Sequence, residues 1–343
     1  MPGYILAQEL KTAVEETDND IFKKDDYWRG ADGAATIELS SGKVLWLFSD
    51  TFIDQNGTGK RSDSKKMIRN SIAIQDSNTL ESQLTYYFKG TKHKPSGFFK
   101  IPGKNWVWTG HGIVVMDKLV IFLFEETSTN TGIGFEAVGW YVVIIENPSD
   151  NPNKWRINYY KGPKTYGVIV GSSAVLQDEN YVYAFGVKEP ATHETYLLRF
   201  DKTNLINGNL SNLEWWTNNT WTDKVFKEPK SSSLFNSQTE FSVHYDKELK
   251  KFIQIQTYGF GKASIGYRIT DQLYGPWSEP VIFYTPPLKD EEEFVYSAKA
   301  HPEYKSGGLI VTYNINNRDF GKLLNDEEIY FPKIIKLTFE KDK

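Results

Sequence analysis

The chain has 343 residues, 39% hydrophobic and 15% aromatic, with 10 tryptophans, 20 tyrosines and 21 phenylalanines, a supply of core-forming side chains that excludes disorder. Its net charge of −4 comes from 40 basic and 44 acidic residues interspersed along the sequence, so there is no basic stripe to neutralise a nucleic-acid backbone. No apolar run approaches the ~18 residues of a membrane span, and with no cysteine there is no disulfide, thiolate metal site or cysteine nucleophile.

The start, Met1-Pro2-Gly3, lacks the charged and then apolar segment of an export signal. It fits a cytosolic start or an exported chain whose signal has been removed. The cysteine-free composition suits an oxidising compartment, and a secreted or periplasmic location is the expectation. Downstream, long apolar patterns of period 3.6 are missing, and one plan recurs: small residues, a short alternating strand, a turn, then an aromatic-rich strand. It first appears as Ala31-Asp32-Gly33, a strand from Ala34 to Leu39, the turn Ser40-Ser41-Gly42, and a strand from Lys43 to Ser49. The second copy opens at Thr109-Gly110-His111-Gly112, runs through Ile113–Val115, turns near Asp117 and returns as Leu119–Phe124. The third opens at Gly171-Ser172-Ser173, turns at Asp178-Glu179-Asn180 and returns as Tyr181–Phe185. The fourth opens at Gln238-Thr239-Glu240, turns between Asp246 and Leu249, and returns as Lys251–Thr257. The fifth opens at Tyr296-Ser297-Ala298-Lys299, turns at Ser306-Gly307-Gly308 and returns as Leu309–Asn314.

Openings at roughly 60–80-residue intervals suit four-stranded blades with ornamented loops. The expected fold is an all-β, five-bladed β-propeller, a single domain over residues 1–343 with almost no helix. A two-sheet sandwich is the alternative. Polar stretches such as Asp54–Lys66 and Asn207–Asn219 read as excursions between strands rather than domain linkers.

In a propeller the first strand of each blade lines the axis, so the five openings converge at one end. Asp32, His111, Ser172, Glu240 and the pair Ser297/Lys299 would meet there, as a polar ligand site requires. The three-residue loop of the first hairpin sets Leu39 opposite Lys43, and the same ladder carried upward sets Asp32 opposite Asp50. Carboxylates on facing positions, with Cβ atoms about 4.5–5.5 Å apart, repel, so one holds its proton to higher pH. The competing local explanation is that both are turn caps, Asp50 binding the backbone of Thr51-Phe52. Glu240 is either a further acid or the partner of Lys299 or Arg69. Trp28, Trp108 and Tyr296 are expected to offer faces for sugar rings. His111, with glycines on both sides, is expected to bind a hydroxyl or orient a carboxylate, and His301 is a weaker candidate of the same kind. No cofactor is expected; a cation such as calcium between Asp32, Asp50 and water is the one metal arrangement the residues allow.

The stretch Trp28-Arg29-Gly30-Ala31-Asp32-Gly33-Ala34, with Leu45-Trp46-Leu47-Phe48-Ser49-Asp50-Thr51-Phe52, resembles the opening of a group of bacterial five-bladed propeller proteins long described as of unknown function. Ile68-Arg69-Asn70-Ser71, Gly275-Pro276-Trp277-Ser278, Tyr296 with His301-Pro302-Glu303, and Thr312-Tyr313-Asn314-Ile315-Asn316 resemble the same group. That group includes endo-acting D-arabinanases and is similar to the arabinanase, xylosidase and fructosidase propellers. The resemblance implies that Asp32 and Asp50 are the catalytic carboxylates and that Glu240 is the acid of a later blade. Ser49 departs from the group, where glycine is usual.

The function expected is hydrolysis of a polysaccharide or oligosaccharide, with a furanoside such as an arabinan among the candidate substrates, by axial carboxylates. Catalysis would fall to Asp32, Asp50 and Glu240, and binding to Trp28, Arg69, Asn70, Trp108, His111, Ser172, Tyr296, Lys299 and His301. The alternative is a propeller that binds glycans without cleaving them, since a fold alone does not choose. Carbohydrate is the expected partner, and the chain is expected to be a monomer.

Overall fold

The structure is a computed structural model that describes residues 10–18, 20–64, 67–190, 192–224, 232–304 and 307–340. Met1-Pro2-Gly3, Lys66 of the first long loop and Ser306 of the fifth turn lie outside the described residues. The architecture is all-β. The α-helices among the described residues are the short Lys202–Ile206 and Phe320–Asn325.

Strands gather into five main sheets in chain order. The first holds Ala35–Glu38, Val44–Phe48, Ser71–Gln75 and Leu84–Tyr87; the second holds Trp106–Val115, Lys118–Ser128, Phe135–Ile145 and Ile157–Lys161. The third begins with Val168–Gln177, Tyr181–Lys188 and Thr195–Asp201 and adds the short Glu214–Thr217 and Thr220–Thr222. The fourth comprises Ser242–Asp246, Lys251–Tyr258, Ser264–Thr270 and Val281–Tyr284. In the fifth, Glu293–His301, Leu309–Asn317 and Lys333–Phe339 are completed by Thr12–Thr17 from the start of the chain, with Val14 opposite Leu337. This N-terminal strand was not foreseen from sequence: TAVEET alternates too weakly to stand out, and its place is fixed by the edge it covers.

Five apolar clusters lie between successive sheets. One joins the first and second sheets through residues such as Leu47 and Ile121. The next joins the second and third through Phe122 and Leu198, and another the third and fourth through Phe185 and Phe241. The fourth and fifth share Ile255 and Val311, and the fifth returns to the first through Phe331 and Trp46. Each sheet is therefore covered on both faces, which explains the unbroken apolar run Leu119–Phe124 in place of a half-exposed alternation. The first strands of neighbouring sheets touch in the same cyclic order.

Four of those five first strands share a second trait, the exception being Ser242–Asp246, which pairs without a break. Their register breaks between Thr109 and Gly112, between Val170 and Val175, and between Tyr296 and Lys299. In the first sheet the equivalent break falls at Gly33 and Ala34, both with positive φ (89° and 46°). Such irregularities bend a strand and re-aim its side chains. They occur at the openings singled out from sequence.

Candidate active site

The hairpin ladder runs as the three-residue loop requires: Glu38 faces Val44 and Ala35 faces Leu47. At its upper end the Asp32 N–H donates to the Asp50 carbonyl at 3.4 Å, and the Asp32 carbonyl accepts from the Ser49 N–H at 2.9 Å. The two aspartates thus sit side by side, but in unlike surroundings.

Asp50 is nearly buried. Its Oδ2 accepts from Arg69 at 3.1 Å and its Oδ1 from the Trp108 indole N–H at 3.0 Å. Burial raises its carboxyl above the ordinary range, while Arg69 and Trp108 oppose that rise by favouring the anion. Asp32 has no cation on it. Its Oδ2 lies 2.9 Å from the Tyr296 hydroxyl and 3.2 Å from that of Tyr330, and its Oδ1 is a buried oxygen with no partner among protein atoms. Burial pushes its carboxyl up to about 8, with the charges of Asp50 and Glu240 adding to the rise. Of the pair, Asp32 is the member whose surroundings favour the proton, since Asp50 alone has a cation beside it. Both tyrosine hydroxyls address Oδ2, which leaves Oδ1 as the place for that proton.

Glu240 lies before the fourth sheet begins, and its Oε1 accepts from Lys299 Nζ at 2.9 Å. Lys299 also donates to the Gly33 carbonyl at 2.6 Å and to Ser297 Oγ at 2.6 Å. Three acceptors meet three ammonium protons, so Lys299, only 3% exposed, is fully committed. This corrects its assignment to substrate binding: it ties Glu240 to the loop that carries Asp32.

Further corrections concern side chains whose bonds are all internal. Trp28 is fully buried, stacked on Tyr86 with centroids 4.4 Å apart, its indole N–H on Ser71; it is core and not a sugar platform. Ser172 is buried, with its hydroxyl 3.3 Å from that of Ser173. His301 is buried with its ring nitrogens 2.7 Å from the hydroxyls of Thr36 and Thr312. Its imidazole is held down to about 3, first by burial and then by the charge of Lys299. His111 places Nε2 3.1 Å from the Thr36 carbonyl and Nδ1 3.1 Å from the Val175 N–H, which fixes the tautomer with the proton on Nε2. Burial keeps it neutral, down to about 4. It pins three first strands together instead of meeting a ligand. The glycines beside it answer to packing, since a Cβ at Gly110 would meet the Gly171 carbonyl at 2.3 Å and one at Gly112 the Val120 carbonyl at 2.4 Å. Asn70 is buried too, and its side chain clamps Phe99 and Val107.

Of the residues singled out, Asp32, Asp50, Glu240, Arg69, Trp108 and Tyr296 are brought together with a face or edge still open. Four groups were missed. Tyr330, close to Asp32 and to the Asp50 carbonyl (3.2 Å), comes from a turn with no sequence signature. Glu126, 2% exposed with an unpartnered Oε2, is pushed up to about 8 by burial, with Glu189, Asp50 and Glu136 adding to it. It lies inside the strand Lys118–Ser128, opposite Trp106 and beyond the register break at Thr109 and Gly112, so hairpin counting from the second opening does not reach it. Trp106 lies under Arg69, 4.2 Å from ring centroid to guanidinium. Finally, Tyr296 continues outward through Phe294 (centroids 5.4 Å apart) to Phe260, stacked on Phe294 at 6.3 Å and 82% exposed.

Among the described residues no group of three or more His, Cys, Asp or Glu side chains is arranged to hold a metal ion. The oxygens of Asp50 that a cation between the aspartates would need are engaged by Arg69 and Trp108. Nor is any helix among the described residues long and apolar enough to cross a membrane.

Comparison with solved structures defines the class of fold. A candidate hydrolase from Bacteroides ovatus ATCC 8483 superposes with a TM-score of 0.75 at 15% identity, over 95% of this chain and 90% of that one. An α-L-arabinofuranosidase from Lactobacillus brevis gives 0.53 at 12% identity, over 95% and 96%. An exo-β-1,3-galactanase from Phanerochaete chrysosporium gives 0.52 at 14% identity, over 89% of this chain and 60% of that one. The fold is the propeller-like all-β fold of glycoside hydrolases. By sequence the chain belongs to the family described as a domain of unknown function (DUF5005), whose model matches residues 15–338. No curated protein matches it.

Proposed function

We propose that this protein is a glycoside hydrolase built as a five-bladed β-propeller, with Asp32 as proton donor and Asp50 as its ionised partner. The blade count is supported by the five sheets and the five cores that link them in a cycle. One observation carries the catalytic assignment: two adjacent carboxyls of which one is ion-paired to Arg69 and the other has no cation. Glycoside hydrolysis needs that division, one carboxyl protonating the leaving oxygen while the other activates water or attacks the anomeric carbon. Glu240, fixed by Lys299, raises Asp32 electrostatically and is a pKa-setting group in this scheme. The substrate class is a polysaccharide or oligosaccharide, and arabinan and galactan head the panel because two proteins of like fold are named for arabinofuranoside and β-1,3-galactan.

The test is reducing-end release from plant, microbial and algal glycans by the wild-type protein and by Asp32→Asn. Release that vanishes in the variant supports the scheme. Binding of several glycans with cleavage of none replaces it with a non-catalytic glycan-binding propeller.

A further inference from the structure

Beside the aspartates lies a cavity of about 650 Å³, within the usual 300–1,000 Å³ of ligand sites. Its wall combines the aromatic side chains of Trp106 and Phe320 with the polar groups of Ser96, Asn105 and Arg69, over the buried Phe99. Sugars present apolar ring faces and hydroxyl edges, and a wall of aromatic faces beside hydrogen-bonding groups complements both. The cavity is also a built feature. Asn70 donates to the carbonyls of Phe99 and Val107 (3.0 and 2.9 Å) and accepts from the Phe99 N–H (2.7 Å), so one buried amide holds both wall segments. Gly97 belongs to the same design: a Cβ there would press on the Asn70 amide at 3.1 Å. Phe320, 54% exposed at the start of its helix, leaves the rim open to solvent.

Arg69 connects this cavity to the aspartates. It lines the cavity, lies over Trp106 at 4.2 Å and ion-pairs Asp50 at 3.1 Å. An occupant of the cavity and a sugar at Asp50 therefore share one side chain.

We propose that the cavity between Arg69, Trp106, Phe99 and Phe320 is a second sugar subsite, which holds a further unit of the same glycan chain away from the bond at the aspartates. This rests on the reading of the aspartate pair as a glycan site. It makes the protein a chain-length-sensitive enzyme, because contacts remote from the reacting bond contribute to transition-state binding only when the substrate is long enough to reach them.

The experiment is calorimetric binding of arabino-, xylo- and galacto-oligosaccharides, disaccharide to hexasaccharide, to Asp32→Asn protein with and without Phe320→Ala. A parallel series uses Trp106→Ala, and kcat/KM is measured on any series the wild-type protein cleaves. The expected result is affinity that climbs with chain length when Phe320 is present, and a loss of about tenfold on the hexasaccharide with a flattened length dependence in Phe320→Ala, on the scale of an aromatic contact. Binding that does not depend on length, or equal fractional losses at every length, overturns the subsite while leaving the aspartate site standing. Absence of binding by every oligosaccharide overturns both.

Discussion

Polar groups occupy two regions where the first strands converge, and the two treat their hydrogen-bonding capacity in opposite ways. In the interior, His111, His301 and Lys299 spend every nitrogen on a named partner. At the aspartates, Asp32 Oδ1 and Glu126 Oε2 are buried without partners, and two carboxyls stand side by side with one arginine between them. Satisfied polar groups in a core specify structure, whereas buried unsatisfied ones, which here also include His244, call for an explanation, of which a catalytic use is one. Residue type did not separate the regions: histidine and lysine looked as functional as aspartate from the sequence. The state of their bonds separates them.

The largest expected effect breaks the comparison if it fails. Asp32→Asn and Asp50→Asn should each lose at least ~100-fold in turnover, the lower range for general acid–base catalysis, and Asp32→Asn should do so without a fall in thermal stability. Asp32→Asn should melt higher than wild type, since it removes a desolvated carboxyl. His301→Ala should do the reverse. It opens a cavity and orphans the hydroxyls of Thr36 and Thr312, which costs about 3 kcal/mol in urea unfolding, while specific activity below the transition survives. Stable, inactive His301→Ala with unstable, active Asp32→Asn would interchange the two regions and end the argument.

A smaller effect sharpens it. The folded Asp32 carboxyl is raised from its usual value near 3.8 to about 8, so its contribution to stability is present at low pH and is lost as pH climbs through about 8. Activity requiring that proton should fall over the same alkaline range. Removing a neighbouring negative charge lowers the Asp32 pKa, so Glu240→Gln should move the alkaline limb of the kcat/KM profile to lower pH. A limb that stays in place would deny Glu240 its electrostatic role and return it to competition as the acid.

Much of this was legible in the sequence. The hairpin ladder, a local rule, set Asp32 beside Asp50, and the recurring strand–turn–strand plan marked hairpins that the sheets contain. Function was harder to read for residues whose surroundings come from distant segments. Trp28 looked like a platform because nothing local reveals that Tyr86 and Ser71 close over it. Glycines around His111 looked like exposed backbone because the carbonyls they accommodate belong to Gly171 and Val120. Tyr330 reaches Asp32 from nearly three hundred residues away, with no motif to announce it. Burial and partner identity are long-range properties, and those are what a single sequence leaves out.

The finest effect concerns Trp108, for which two roles compete. Its ring is half-buried against Phe135, with centroids 4.7 Å apart, and its N–H donates to Asp50. As a sugar platform, it should tolerate Trp108→Phe and lose about 1 kcal/mol of glycan affinity as Trp108→Ala, the scale of an aromatic contact. As a donor that favours the Asp50 anion, it should not tolerate Trp108→Phe, which keeps an aromatic face but deletes the N–H. Loss of a hydrogen bond to the charged form raises the Asp50 pKa, so the acid limb of the kcat/KM profile should move to higher pH, with turnover at neutral pH falling severalfold. We expect the second pattern, because the N–H points at Asp50 and much of the ring is taken by Phe135 and Phe124. An unmoved acid limb in Trp108→Phe, together with weakened binding in Trp108→Ala, would place Trp108 with Phe260 and Phe294 as a surface for sugar and leave Arg69 alone to hold Asp50 ionised.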